Sequence, residues 1–306
     1  MTVAAQNLEQ ADKRVKEAFV EGYNSYRTVY DKIFIVEPPQ RLNERFTIVK
    51  TDSDVLEVAD GAPFPSGQIT EIGANVISQK VFKASIIMSD LAEHFDPYGA
   101  MSQVATQKGT HFNFKLDSLA AALLNNATST SAPYGFNVAG TTTAMVSTSQ
   151  PIGDSGLTQS NRLSGAHDRT NANLARSTLI KMKTHDKTPI GYQLTRIVVP
   201  TIEEMNTWQM WVSTGDSETA NNGMNGLRGL QGSVEIIQWQ LLTDGNYAFY
   251  LAARNNAGAK GLRYEIKLYP EMRRIINQQT GTPEYQVRMI CNPGIVDYQG
   301  IVSVGV

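Results

Sequence analysis

Residues 47–88 read TIVKTDSDVLEVA, DGAPFPSG, QITEIGANVISQKVFKASIIM. Two β-prone arms flank a centre at 60–67 in which Gly61, Pro63, Pro65 and Gly67 supply turn chemistry, so the spacing predicts one long hairpin. The arms alternate, yet hold too few large apolar side chains to build a core of their own. A two-stranded ribbon alone is marginal in water, so this one needs another surface to lie on.

Working outward, Leu8, Ala11, Val15, Ala18, Phe19, Tyr23, Tyr26 and Tyr30 recur at three- and four-residue steps and predict an amphipathic helix from about Asn7 to Tyr30. Pro38 and Pro39 bar its continuation. The apolar face of that helix would be an unpaired patch on a lone chain. On the other side of the hairpin, Asp96-Pro97 is a start signal. Met101, Val104, Ala105, Phe112, Leu116, Leu119, Ala120, Leu123 and Leu124 then predict a helix of about 25 residues, about 40 Å long, ending at Asn125-Asn126. Gly109 inside it costs about 1 kcal/mol of helix propensity and is read as a bend. From Ala127 to about Asp168 the chain is rich in Ser, Thr, Gly and Asn, which reads as a surface excursion without core elements. Helical periodicity returns at Asn171 with Leu174, Thr178, Leu179 and Met182.

The segment TRIVVPTIEEMNTWQMWV, 195–212, is the most ordered-looking local pattern. Ile197-Val198-Val199 stops at Pro200, and Thr201 to Glu204 has the spacing of a capping box ahead of a helix carrying Ile202, Met205, Trp208, Trp211 and Val212 on one face. Phosphate sites use this strand–turn–helix layout, but here the turn is Pro-Thr rather than glycine, so an anion could not approach the backbone. Ile197, Val198, Val199, Trp208 and Trp211 are therefore read as core. A polar segment at 215–232 separates them from VEIIQWQLL and NYAFYLAA, read as a hairpin through Asp244-Gly245. LRYEIKLY, EYQVRMI and IVDYQGIVSVGV complete a β-rich C-terminal third, and the mixture predicts an α+β fold with two lobes.

Composition bounds the function. With 41% hydrophobic and 18% charged residues, the 306-residue chain is ordinary globular material for one large domain or two smaller ones. A net charge of -2 supplies no overall field for binding phosphates, so contact with nucleic acid has to be local or passive. Cys291 is the single cysteine, which excludes an internal disulfide framework and a cysteine zinc cluster. Charges stand where a signal peptide needs its apolar core, and no run reaches membrane-spanning length, so a soluble, intracellularly made protein is expected, with no membrane partner.

The search for chemistry returns little. No phosphate-loop motif is present, and GDSGL and NAGAKG do not lie between a strand and a helix. His94, His111, His167 and His185 have no metal-ligand spacing. Ser164, His167 and Asp168 contain the residue types of a hydrolase triad, but triad members converge from distant segments and G-x-S-x-G is absent. Asn126-Ala-Thr matches the glycosylation pattern without a secretory context. Lys260, Arg263, Lys267, Arg273 and Arg274 form a modest basic stretch, read as a solvated or ion-paired face. No catalytic residue, metal or cofactor is expected, and the chain is not read as an enzyme.

The order of these elements resembles the major capsid protein of tailed bacteriophages, the HK97-fold family. An N-terminal helix, a hairpin with DGAPFPSG at its tip, KASIIMSDL leading to a spine helix, a polar excursion and RIVVPTIEE before a helix carry the resemblance, with LTDGNYAFYLAARN and VDYQGIVSVGV at the end. It implies an α+β, HK97-like capsid fold: N-terminal helix and arm at 1–49, an extended E-loop hairpin at 50–85, a P domain with the spine helix at 86–126, an A domain at 127–255, and a closing β-rich segment at 256–306, mainly P domain. It further implies self-assembly into hexamers and pentamers forming an icosahedral shell around phage double-stranded DNA, which is held without sequence-specific binding. Scaffold, portal and decoration proteins are candidate further partners, and the location implied is the virion after synthesis in the host cytoplasm. Because the chain starts almost at its first helix, a separate scaffold protein or none is expected. The inter-subunit residues implied are Phe19, Tyr23 and Tyr26 of the first helix and Gly61, Pro63, Phe64, Pro65 and Gly67 of the hairpin tip. Lys80 and Lys83 lie where some relatives carry a crosslinking lysine, but no partner asparagine or acid is identifiable, so no crosslink is expected. The alternatives are an encapsulin-like compartment shell and, from a different class, an oligomeric hydrolase using Ser164, His167 and Asp168.

Overall fold

The computed structural model describes residues 3–51, 69–87, 99–200, 207, 234–243, 248–252, 261–276 and 282–305. Two multi-stranded sheets and two long helices organise them. Helix α1 (Val3–Ser25) is followed by the single turn α2 (Tyr30–Ile33) and the short strand β1 (Ile35–Glu37). Strands β2 (Asn43–Thr51) and β3 (Ile69–Ser78) form the antiparallel hairpin. After Gln79 the chain enters β4 (Lys80–Ile87), which leaves the hairpin and pairs elsewhere. The expected arm at 68–88 is thus two strands in two different sheets. The tip residues Gly61, Pro63, Phe64, Pro65 and Gly67 lie outside the described residues.

Helix α3 (Ala100–Asn125) is the predicted spine, 26 residues long. It packs α1 along its length, and the contact corrects the reading of Gly109 as a bend. A Cβ built on Gly109 would lie 2.1 Å from the Phe19 carbonyl oxygen, and one on Gly22 would lie 1.9 Å from that of Thr106. Two glycines therefore let the backbones touch, and Val15, Ala18 and Phe19 are buried beneath. The expectation of an unpaired apolar face on α1 is corrected with it, since α3 of the same chain covers that face. The predicted single helix to Tyr30 also breaks after Ser25, where polar groups of α3 capture the backbone. Asn113 donates to the carbonyls of Tyr23 and Tyr26 at 2.7 and 3.0 Å, and Asp117 accepts from the amides of Val29 and Tyr30.

The segment 127–168 corrects a second expectation. It forms the pairs β5 (Gly135–Val138) with β6 (Thr141–Ala144) and β7 (Gln150–Pro151) with β8 (Thr158–Gln159), then β9 (Arg162–Leu163). Phe136, Val138, Met145, Val146 and Ile152 are buried, as are the polar Gln150 and Asn161. Composition misled because the polar side chains here are the internal glue. Asn161 donates to the carbonyls of Met145 and Ile301 at 2.9 and 3.1 Å, and accepts from Ser147 and Gln150 at 2.8 and 3.1 Å. Asn161→Ala leaves those groups without partners in a dry interior and is expected to cost on the order of 3 kcal/mol, read from the midpoint of urea unfolding.

Helix α4 (Arg169–Lys181) starts at Asp168, whose carboxylate accepts from the Asn171 amide at 2.7 Å, an N-cap. Its buried face is Ala172, Ala175 and Leu179, while Leu174 stands 48% exposed. Leu179 and Met182 are buried as the spacing predicts, while the small Ala172 and Ala175, rather than Leu174, complete the buried face. Under it lies a five-stranded sheet in the order β11 (Glu235–Gln238), β10 (Arg196–Val199), β12 (Ala248–Leu251), β15 (Ile301–Val304), β9. The hairpin expected between VEIIQWQLL and NYAFYLAA is not formed. β10 lies between the two strands, parallel to β11 and antiparallel to β12. The reason is apolar content: β10, β12 and β15 are buried on both faces, and only the centre of a covered sheet accepts such strands. A four-stranded sheet, β1, β13 (Leu262–Ile276), β14 (Pro283–Ile295), β4, covers α3 from the other side. Trp208 and Trp211 lie outside the described residues; Ile197, Val198 and Val199 are fully buried in β10.

Candidate functional site

Three places carry polar groups that local packing alone does not require. The first is the junction of α1, α3 and β11. Asp117 of α3 is fully buried and accepts from the Val29 and Tyr30 amides at 2.9 Å each, from Trp239 Nε1 at 2.8 Å and from Tyr26 Oη at 3.2 Å. Burial pushes its carboxyl above the usual carboxylate range, against the pull of those four donors. One side chain thereby starts α2 and anchors the strand end after β11 to the spine. Sequence reasoning missed Asp117, although a lone acid three and four residues before Ala120 and Ala121 on the apolar stripe was a visible anomaly.

The second place is the cluster Ser164, His167, Asp168. His167 is buried, with Nε2 2.8 Å from Tyr250 Oη and the two rings edge to face. Asp168 serves as the N-cap of α4, and Ser164 is exposed. His167 thus packs on the sheet and Asp168 caps a helix, so two of the three residues have structural roles. Among the described residues no three His, Cys, Asp or Glu side chains converge on a metal position, and no helix is long and apolar enough to cross a membrane.

The third is the root of the hairpin. Asn75 donates to the Val296 carbonyl at 3.0 Å, Asn292 of β14 donates to that of Ser78 at 2.9 Å, and the Gln79 amide donates to Leu42 at 2.9 Å. Farther out, the Lys50 ammonium pairs with Asp154 at 2.7 Å, and the Ala139 amide donates to Ile72. Beyond these ties the hairpin presents Val49, Ile69 and Val76 to solvent at 50, 75 and 57% exposure. Edge strand β4 likewise shows Val81 and Ile87. Single exposed apolar residues are ordinary, but a ribbon and an adjoining open edge lined with them form a surface suited to another chain.

Of the helix residues expected at a subunit boundary, Phe19 is buried, its ring 6.3 Å from that of Phe112. Tyr23 packs half-buried on the core, and Tyr26 stands edge-on to Phe114 with its hydroxyl on Asp117. Of the basic stretch, Arg263 pairs with Glu37 at 2.6 Å and Arg273 with Glu271 at 2.7 Å, while Lys267 donates to the Pro39 carbonyl at 3.3 Å. Lys80 and Lys83 lie on β4 opposite Cys291 and Arg288.

With this geometry in hand, a family model described as phage capsid protein matches residues 74–304. The chain belongs to the phage capsid protein family. No curated protein matches it in sequence. Among solved structures it is similar to the capsid of cyanophage P-SCSP1u, with a TM-score of 0.56 at 11% identity, covering 91% of this chain and 88% of that one. The capsid of an empty GTA particle gives 0.56 at 10% identity over 91% and 90%. A virus-like particle from Pyrococcus furiosus gives 0.53 at 10% identity over 95% and 98%. At such identity the likeness speaks for the fold: this capsid protein has the α+β, HK97-like architecture. Its family and neighbours are structural proteins rather than enzymes. Self-association is accordingly the activity in which the exposed hairpin and β4 edge of a capsid protein have to be understood.

Proposed function

We propose that this chain is a shell subunit that assembles into hexamers and pentamers and closes an icosahedral container around double-stranded DNA, residing in the virion after synthesis in a host cytoplasm. The observation that carries the reading is the hairpin of β2 and β3, tied to its own chain by a few polar contacts and by the buried Ile48, Ile72 and Ile77 while Val49, Ile69 and Val76 face outward. Laid on a neighbouring subunit, those side chains would be buried, and the tip residues Gly61, Pro63, Phe64, Pro65 and Gly67 would travel with them. The segments 86–126 and 127–255 act as peripheral and axial lobes of the subunit. Many weak contacts of this kind allow errors to be corrected before the shell locks. A net charge of -2 suits a lining that encloses DNA without binding its sequence. Scaffold, portal and decoration proteins are the candidate partners during building.

Negative-stain electron microscopy with size-exclusion chromatography of the purified chain tests this. Closed shells or flat rings of five and six are expected, and replacing 60–67 with a Gly-Ser linker should abolish them while circular dichroism stays unchanged. A 33.6 kDa monomer at every protein concentration and ionic strength, crowding agent included, overturns the reading. The similarity to the virus-like particle from Pyrococcus furiosus favours a second reading, a compartment shell holding protein. The ratio of absorbance at 260 and 280 nm of particles isolated from their natural source separates nucleic acid from protein contents.

A further inference from the structure

The hairpin meets the four-stranded sheet at Gln79, the one residue between β3, which pairs with β2, and β4, which pairs with β14. The side chain of Gln79 donates through Nε2 to Glu265 Oε2 on β13. Its Oε1 is buried and finds no hydrogen-bond partner among the described residues. Glu265 is itself 3% exposed. An ionised carboxylate can only accept, so it satisfies one half of the amide and leaves the other half orphaned. A protonated carboxyl also donates, and an acid and a primary amide then close a two-point pair with both amide atoms satisfied. The orphaned acceptor is the observation that selects the protonated form.

The surroundings select it too. Glu265 faces Glu37 of β1 at the same register position and Glu44 of β2. Against these two acids stands Arg263 of the same strand, already paired with Glu37 at 2.6 Å and lying over the Phe46 ring, while Lys267 farther along donates to the Pro39 carbonyl. From β14 it meets the neutral Asn292 and from the linker the neutral Gln79. The hairpin strand also borders an open cleft of about 310 Å³ lined by Phe46, Ile48, His185 and Asp297, so the root has room to shift.

We propose that Glu265 and Gln79 form a proton-controlled latch at the root of the hairpin: protonated, the pair closes and holds the hairpin to the sheet; ionised, it opens and frees the root. Burial, then the nearby Glu44, push the Glu265 carboxyl up to about 7, with Gln79 and Arg263 pulling the other way. Because the folded value is raised above the ordinary 4.5, the latch is fully closed below about 4.5 and is lost as pH rises through about 7. The outer ties, Lys50 with Asp154 and Ile72 with Ala139, hold no shared proton, so the loosening is confined to the root.

Hydrogen exchange of the full chain at pH 5.5 and 8.5, corrected for the intrinsic rate, tests the latch through the amides of 42–46 and 76–80. Wild type is expected to lose about tenfold in protection at the higher pH, while 100–125 stays level. Glu265→Gln, which can both donate and accept, is expected to hold the closed level of protection at both values. Glu44→Gln, half-buried and still able to accept from the Gln40 and Arg41 amides, is expected to move the midpoint of the loss to lower pH by removing a repelling charge. Equal protection at both pH values in wild type overturns the proposal. So does a loss that persists in Glu265→Gln, or a midpoint that Glu44→Gln leaves in place.

Discussion

Substitution of Gly22 by alanine will destabilise the subunit by on the order of 3 kcal/mol, although glycine to alanine in an ordinary helix interior stabilises by up to about 1 kcal/mol. The sign is reversed by geometry. The new methyl would lie 1.9 Å from the Thr106 carbonyl oxygen, a backbone atom that cannot rotate away. Helices α1 and α3 would have to part by more than 1 Å, opening the contact of Phe19 with Phe112 and the hydrogen bond from Thr110 to the Gly22 carbonyl. Gly109→Ala meets the Phe19 carbonyl at 2.1 Å and should behave alike. Because both act on one interface, the double mutant should cost less than the sum. Urea unfolding measures the stabilities, and hydrogen exchange of α1 reports its detachment. Glu21→Ala, on the exposed side of α1, should stay within about 0.5 kcal/mol of wild type. A Gly22→Ala chain as stable as wild type would sink the account of this helix pair.

The second large effect is expected at Asp117. Asp117→Ala strands two amides, an indole N–H and a hydroxyl, and buried donors left without acceptors cost about 1–3 kcal/mol each, less than additively. A loss of roughly 4 kcal/mol follows, with a fall in Tm of roughly 10 °C. Asp117→Asn keeps an acceptor but points N–H groups at donors, so an intermediate loss is expected. Trp239 supplies the local reading: its indole should become accessible to acrylamide quenching in Asp117→Ala before global unfolding. Unchanged quenching alongside the lower Tm would place the defect elsewhere.

What was legible locally and what was not divides along sequence separation. The spine helix was readable because its apolar side chains recur at helical spacing, and that spacing is a property of the chain itself. So were β10, from three consecutive β-branched residues, and the hairpin arms, from the turn residues between them. Misreadings arose where a distant segment supplied the partner. Gly109 looked like a bend because Gly22 is far away in the chain, and 127–168 looked like surface because Asn161 saturates carbonyls as far off as Ile301. The pairing of β11 and β12 looked like a hairpin until β10 took the place between them.

The same division holds for the surfaces. Element order in the sequence determined the capsid family and the α+β architecture, since local propensity and turn chemistry are written residue by residue. Only the tertiary structure decided which apolar faces stay inside the subunit. Phe19 turned inward onto α3, while Val49, Ile69 and Val76 of the hairpin remained outside. Tertiary structure alone also brought Glu265 to Gln79, 186 positions apart, and set one buried acid beside another element's amide. Hydrophobic periodicity states that a face needs covering; it does not state by what, because the burial free energy is non-directional and any complementary surface satisfies it.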